Sequence, residues 1–163
     1  MRDPPPGSRT PLLEQYVAAG RLRERHARRL DVVTLWQKAR TRLRDSALPG
    51  ISIEGSLEAA YQATHSACLA VLATRGLRTA SGYGHHEMAF AGVAALGVPG
   101  LLEELIPDSE QIRTLRSGSM YDPILATEND RKRAVAWAWS VLPLMRALLV
   151  TWDASLDAEL DRL

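Results

Sequence analysis

Two arginines, a serine and a tyrosine lie close together in the stretch Arg113-Thr-Leu-Arg116-Ser117-Gly-Ser-Met-Tyr121-Asp122. Arginines three apart on a helix project from one face. Their guanidinium groups suit carboxylate or phosphate oxygens. Ser117, Tyr121 and Asp122 add hydrogen-bonding groups next to them. The stretch is expected to close a short amphipathic helix, where a pocket or a subunit interface could use it. A purely structural reading is also open, because cations are favoured near a helix C-terminus.

Other residue types that do chemistry are sparse. His85 and His86 sit at an expected helix start, after Gly82 and Gly84. Adjacent histidines point about 100° apart on a helix, so they are poor partners for one metal. Glu87 and Met88 follow, which is not a His-Glu-x-x-His zinc pattern. Capping and loop packing are their simplest role. His65 lies beside an apolar stripe and reads as a packing residue. No Walker motif, GxSxG elbow or paired-carboxylate motif of a nucleotidyltransferase is present. Trp137 and Trp139 are two apart on the last helix, so one faces the core and the other is free for a helix or subunit contact.

Composition bounds the fold. The 163 residues suit one domain with a real core. A hydrophobic share of 46% with 24% charged residues is that of a globular chain. The single cysteine, Cys68, excludes an intrachain disulfide, and CxxC or Cys/His zinc spacing is absent. It fits a reducing cytosol. No run of 18 uncharged apolar residues suggests a membrane span, and Met1-Arg-Asp-Pro-Pro-Pro-Gly lacks a signal-peptide pattern. The charge is uneven. Residues 1–44 hold 11 Lys/Arg and 4 Asp/Glu, a net +7, and the remainder carries −6. The basic segment is a solvated face, a patch for nucleic acid or an acidic partner, or a partner for the acidic body of the same chain.

The elements that must position these residues read as helical almost throughout. Residues 1–9 are Pro-rich and expected to be disordered or extended. Residues 10–50 form basic N-terminal helices. Thr10-Pro11 caps the first, which stops near Gly20. The second begins at Leu22 or Arg29, runs to Arg44, and buries Val32, Trp36, Ala39 and Leu43. Residues 51–152 form the main bundle. Its first helix is expected to be capped by Ser56 and ended by Gly76, with Leu57, Ala60, Tyr61, Thr64, Cys68, Val71 and Leu72 as its stripe. A helix over 85–96 follows, rich in small residues. A short helix or turn covers 101–106, and Asp108 with Gln111 begins the arginine-bearing helix. Thr127 with Asp130 caps a last helix expected to bury Val135, Trp139, Leu142, Met145, Leu149 and Trp152, and to kink at Pro143. Residues 153–163 form an acidic amphipathic tail. No hairpin pattern appears. The expectation is an all-α, single compact bundle of about five to six helices.

In this order, the motifs resemble the HEPN superfamily (higher eukaryotes and prokaryotes nucleotide-binding). The resemblance rests on the helix ending Leu-Ala-Thr-Arg-Gly-Leu-Arg78, on Gly84-His-His86 at a helix start, and on Ile112 to Asp122 before a long alanine-rich helix with Arg131 and Arg133. It covers roughly residues 52–150. Many HEPN proteins are metal-independent ribonucleases that pair an arginine with a histidine in a dimer cleft. The resemblance implies that Arg116 takes the arginine position, Ser117 the polar position and Tyr121 the histidine position. An ordinary tyrosine, with a pKa of about 10, is a poor base at neutral pH. The resemblance therefore implies a HEPN-like component of a bacterial toxin–antitoxin or defence module with a degenerate catalytic motif. It would form a homodimer through the face carrying Arg116 and Tyr121. It would bind a partner protein, such as a nucleotidyltransferase-fold protein or a cognate toxin or antitoxin, or RNA or nucleotide, through Arg113, Arg116, Ser117, Tyr121 and Asp122. The alternative is an active ribonuclease, with Arg116 on the phosphate and Tyr121 or a histidine from elsewhere carrying the proton. A third reading is a structural interaction module. A cytoplasmic location is expected, with no cofactor, metal or membrane.

Overall fold

The computed structural model describes the backbone at residues 9–82, 84–121 and 125–160, and the side chains there except at 102–104 and 117–121. The expectation for the Pro-rich start thus lies almost wholly outside the described residues, as does Asp122. The fold is predominantly α-helical, as the periodicity predicts. Its elements are α1 (Pro11–Ala18), β1 (Leu22–Glu24), α2 (Arg29–Ser46), α3 (Ile53–Thr74), β2 (Leu77–Thr79), α4 (His85–Ala94), α5 (Leu101–Tyr121), α6 (Glu128–Trp152), a single 3-10 turn (Ala154–Leu156) and α7 (Asp157–Leu160).

The central element is α3, which packs against α2, α4, α5 and α6. Its Ala59, Ala60, Ala63, Ala67 and Ala70 are all buried, as are Tyr61, Cys68, Val71 and Leu72. A helix apolar on most of its circumference must be covered on most of it, and alanine lets the neighbours come close. Gly92 of α4 has the same effect: a Cβ there would meet Leu22 and Leu72 methyl carbons at 3.3 Å.

The helix termini follow the expected chemistry in three places. The Thr10 hydroxyl accepts from the Leu13 N–H at 3.2 Å, with Pro11 opening α1. Thr127 and Asp130 form a reciprocal box at the start of α6, with bonds of 3.2 and 2.8 Å. Gly76 follows α3 with φ +68°, a conformation that glycine adopts without a Cβ penalty.

Elsewhere the structure departs from the sequence reading. The cap of α3 is Ser52, which accepts from the Gly55 N–H at 3.0 Å, and not Ser56. Ser56 is buried one turn further in, where its hydroxyl donates to the Ser46 carbonyl at the end of α2. Either serine precedes apolar residues, and only the approach of α2 decides between them. The break expected at Asp108 is absent, and α5 runs through Pro107. Proline inside a helix costs about 3 kcal/mol. Leu101, Leu105, Ser109 and Ile112 are buried on one helical face across it, and burial of that stripe offsets the cost.

The buried face of α6 is Ala134, Trp137, Ala138, Val141, Leu142, Met145 and Leu149. Trp139 is 51% exposed, which corrects the predicted stripe. The helix is apolar nearly all round, so polarity alone does not set its rotation. It is also the one described helix that is long and apolar enough to cross a membrane by length and composition. In the fold it serves as a core helix against α3.

The two short strands, absent from the sequence reading, pair antiparallel with Leu22 opposite Thr79 and Glu24 opposite Leu77. Three residues are too few to show a period of two, and the partners are far apart in the chain. The pair fastens the N-terminal segment to the turn after α3. The acidic tail is held by cations of α2 and α6. Arg29 pairs with Glu159 at 2.9 Å and Asp153 at 3.5 Å, and Arg40 donates to the Leu160 carbonyl at 2.9 Å. Arg146 of α6 pairs with Asp157.

Candidate functional site

Arg113 and Arg116 leave α5 on one side, as their spacing predicts, and both reach other helices. Arg113 pairs with Glu87 of α4 at 2.8 Å. The Arg116 Nε–H donates to the Glu58 carboxylate of α3. Its guanidinium carbon also lies 4.3 Å from the centre of the Tyr61 ring, within cation–π range. Gln62 donates to the same Glu58 carboxylate at 2.9 Å.

Glu58, Tyr61 and His65 lie at successive turns of α3, so they share one face. The first turn of α4 brings His86 onto that face. The His65 and His86 ring centres are 4.4 Å apart, and those of His85 and His86 are 4.2 Å apart. Tyr61 lies parallel to His65 at 6.4 Å, and Phe90 lies 5.2 Å from Tyr61. His85 itself turns back, with its Nδ1 2.7 Å from the Gly82 carbonyl, which is the loop-packing role expected of it.

Burial sets the protonation states. It pushes the His65 pKa down to about 3, and nearby His86, His85 and Arg116 push the same way. His65 is therefore neutral at physiological pH. The His86 pKa is lowered too, first by burial and then by His85 and Arg116, while Glu58 opposes. Burial raises Tyr61 to about 12 against the pull of Arg116 and Arg113, so its hydroxyl keeps its proton. Burial also raises the Cys68 thiol, an inert core group.

Four buried polar atoms of this cluster have no hydrogen-bond partner: Tyr61 Oη, His65 Nε2, His86 Nδ1 and Arg113 Nε. Such atoms are few in native proteins, since each costs about 1–3 kcal/mol. Their concentration around two arginines marks a place where a polar ligand or ordered water completes the bonding. An anion there would find cations at the rim, and it would raise the lowered pKa of His86. Among the described residues no group of three or more His, Cys, Asp or Glu side chains is arranged to hold a metal ion.

The structure thus brings Arg113 and Arg116 together. Ser117 and Tyr121 lie further along α5, but their side chains fall outside the described residues, as does all of Asp122. Sequence reading missed Glu58, Tyr61, His65, His86 and Glu87. The available signal was the spacing of Glu58, Tyr61 and His65 on one helix face. It was masked because Tyr61 and His65 also fit an apolar packing stripe.

The uncompensated part of the basic segment lies on another side. Arg25, Arg28, Lys38 and Arg78 line a groove of about 550 Å³ whose carboxylate is Asp31. Arg28 holds Asp31 at 3.0 Å and keeps its carboxyl below the usual range. Compared with known proteins, the chain matches no family model, no curated protein and no solved structure.

Proposed function

We propose that this chain is a HEPN-like component of a bacterial toxin–antitoxin or defence module that binds RNA or nucleotide phosphate at the α3–α4–α5 cluster. The observation that carries this reading is the convergence of Arg113 and Arg116 on His65, His86 and Tyr61, with four buried polar atoms lacking partners. A phosphate oxygen supplies the acceptors that Tyr61 and the guanidinium groups lack. It also rewards protonation of His86. Glu58 and Glu87 hold the arginines in the meantime. Both carboxylates are about half exposed, so they can turn into water when an anion arrives. On this reading the protein is cytoplasmic and homodimeric, and a nucleotidyltransferase-fold or other cognate protein is its partner. Trp139, exposed on the outer face of α6, gives such a contact an aromatic anchor.

One observation favours a second reading, an active metal-independent ribonuclease. His86 is only half buried and lies close enough to Arg116 to feel its charge. It is then the proton carrier, in place of Tyr121.

Incubation of the purified protein with tRNA and mRNA separates the readings. Binding without cleavage is expected, weakened at least tenfold by Arg116→Ala. Cleavage lost in both Arg116→Ala and His86→Gln would establish the ribonuclease instead. If wild-type protein binds no RNA and Arg116→Ala alters stability alone, the arginines serve only the fold.

A further inference from the structure

A cavity of about 370 Å³ opens between α1, α4 and α5, a size in the range of small-molecule sites, about 300–1,000 Å³. It adjoins the cluster through Tyr61 and Arg113 but extends away from the histidines, toward the N-terminal helix. Three aromatic rings, Tyr16, Tyr61 and Phe90, contribute to its wall. Ala91 and Ala94 also line it, where larger side chains on α4 would fill the space. These surfaces suit a flat apolar body.

The polar groups specify the rest of the ligand. Arg113 and Arg21 both line the cavity, and the Arg21 guanidinium lies 5.6 Å from the centre of the Tyr16 ring. Tyr61 Oη and Arg113 Nε are donors without acceptors. Neither touches solvent, so bulk water does not serve them. Arg113 is 43% exposed as a side chain and is free to turn its Nε edge toward an occupant. The missing partner is therefore an acceptor. Glu87, already paired with Arg113, and Glu110 also line the space. Two carboxylates against two guanidinium groups leave no net positive charge for a polyanion.

We propose that this cavity binds a planar aromatic monocarboxylate, with its rings against Tyr16, Tyr61 and Phe90 and its carboxylate toward Arg113 and the Tyr61 hydroxyl. The site is distinct in chemistry from the phosphate cluster, and its ligand does not depend on the RNA reading. It also gives α1 a purpose. That helix is tethered to the end of α4 by the Thr10 hydroxyl, which donates to the Ala95 carbonyl, and so closes one side of the cavity.

The test is calorimetric titration of the full chain with 2-naphthoate and, separately, 2-naphthylamine. One-to-one binding of 2-naphthoate is expected, at least tenfold tighter than that of the amine. Ala94→Leu fills the cavity and should weaken naphthoate binding at least tenfold while leaving RNA binding unchanged. Arg113→Gln should weaken naphthoate binding by a similar factor. If Ala94→Leu loses its helical circular dichroism, Tyr16→Ser on α1 takes its place with the same expected loss. No naphthoate binding at millimolar concentration overturns the proposal. So does equal binding of the amine, or naphthoate binding that survives the cavity variants. RNA binding measured on the same samples tells failure of this site from failure of the phosphate cluster.

Discussion

The Arg116 guanidinium lies 4.3 Å from the centre of the Tyr61 ring, with its Nε–H donated to the Glu58 carboxylate. One cation from α5 is thus held by two residues of α3, one by charge and one by its π face. Glu58 occupies the position that an incoming anion would take. Glu58→Gln should therefore have opposite effects on stability and binding. Stability in urea should fall by about 0.5–1 kcal/mol, as for a partly exposed ion pair. RNA binding should tighten several-fold, because Arg116 is released. A variant that binds more weakly would show that Glu58 helps form the site and does not compete for it.

His65 gives the fold a pH dependence whose sign follows from burial. The unfolded chain takes up a proton on this residue near pH 6.5. The folded protein resists until about pH 3. Between these values the unfolded state holds more protons, so stability falls as pH falls. The contribution is complete above pH 6.5 and is lost progressively toward pH 3. From pH 7.5 to pH 5 the loss should be about 2 kcal/mol, with His86 acting in the same direction. Urea titrations at the two pH values check this. His65→Gln should remove most of the difference, and a slope that persists in that variant would assign the effect elsewhere.

Tyr61→Phe should not harm the empty protein. Its hydroxyl is buried without a partner, and removing such a group relieves a desolvation cost of about 1 kcal/mol. A melting temperature equal to or above that of the parent is expected. A clear drop would mean that ordered water already satisfies the hydroxyl. In the same variant, 2-naphthoate should bind more weakly, because its carboxylate loses a donor.

Ser52 and Ser56 should differ in how they fail. Ser52→Ala removes the α3 cap and should cost about 1 kcal/mol. Ser52→Gly should restore most of that. Ser56→Ala removes a buried hydroxyl that donates to the Ser46 carbonyl and should cost about 1–3 kcal/mol, with no rescue by glycine. Chemical denaturation of the four proteins, parent included, distinguishes cap from core. Equal rescue at both positions would contradict the assignment.

By itself the sequence determined the helical class, because the 3.6-residue period runs through most of the chain. It also determined the caps at Thr10 and Thr127, whose partners are three residues away. Arg113 and Arg116 were legible as one face for the same reason: local spacing fixes the side of a helix. Spacing does not fix what lies opposite that side. The Ser52 cap, the continuity of α5 through Pro107 and the burial of Trp137 over Trp139 depend on which neighbouring helix covers the surface. The β1–β2 pair depends on two three-residue segments meeting across the chain. The candidate site is the same kind of fact. Glu58, Tyr61 and His65 stand on α3, His86 and Glu87 on α4, and the arginines on α5. Only the packing of three helices placed His65 and His86 4.4 Å apart and set Arg116 over Tyr61. The cavity beside them likewise exists only because α1 closes against the end of α4.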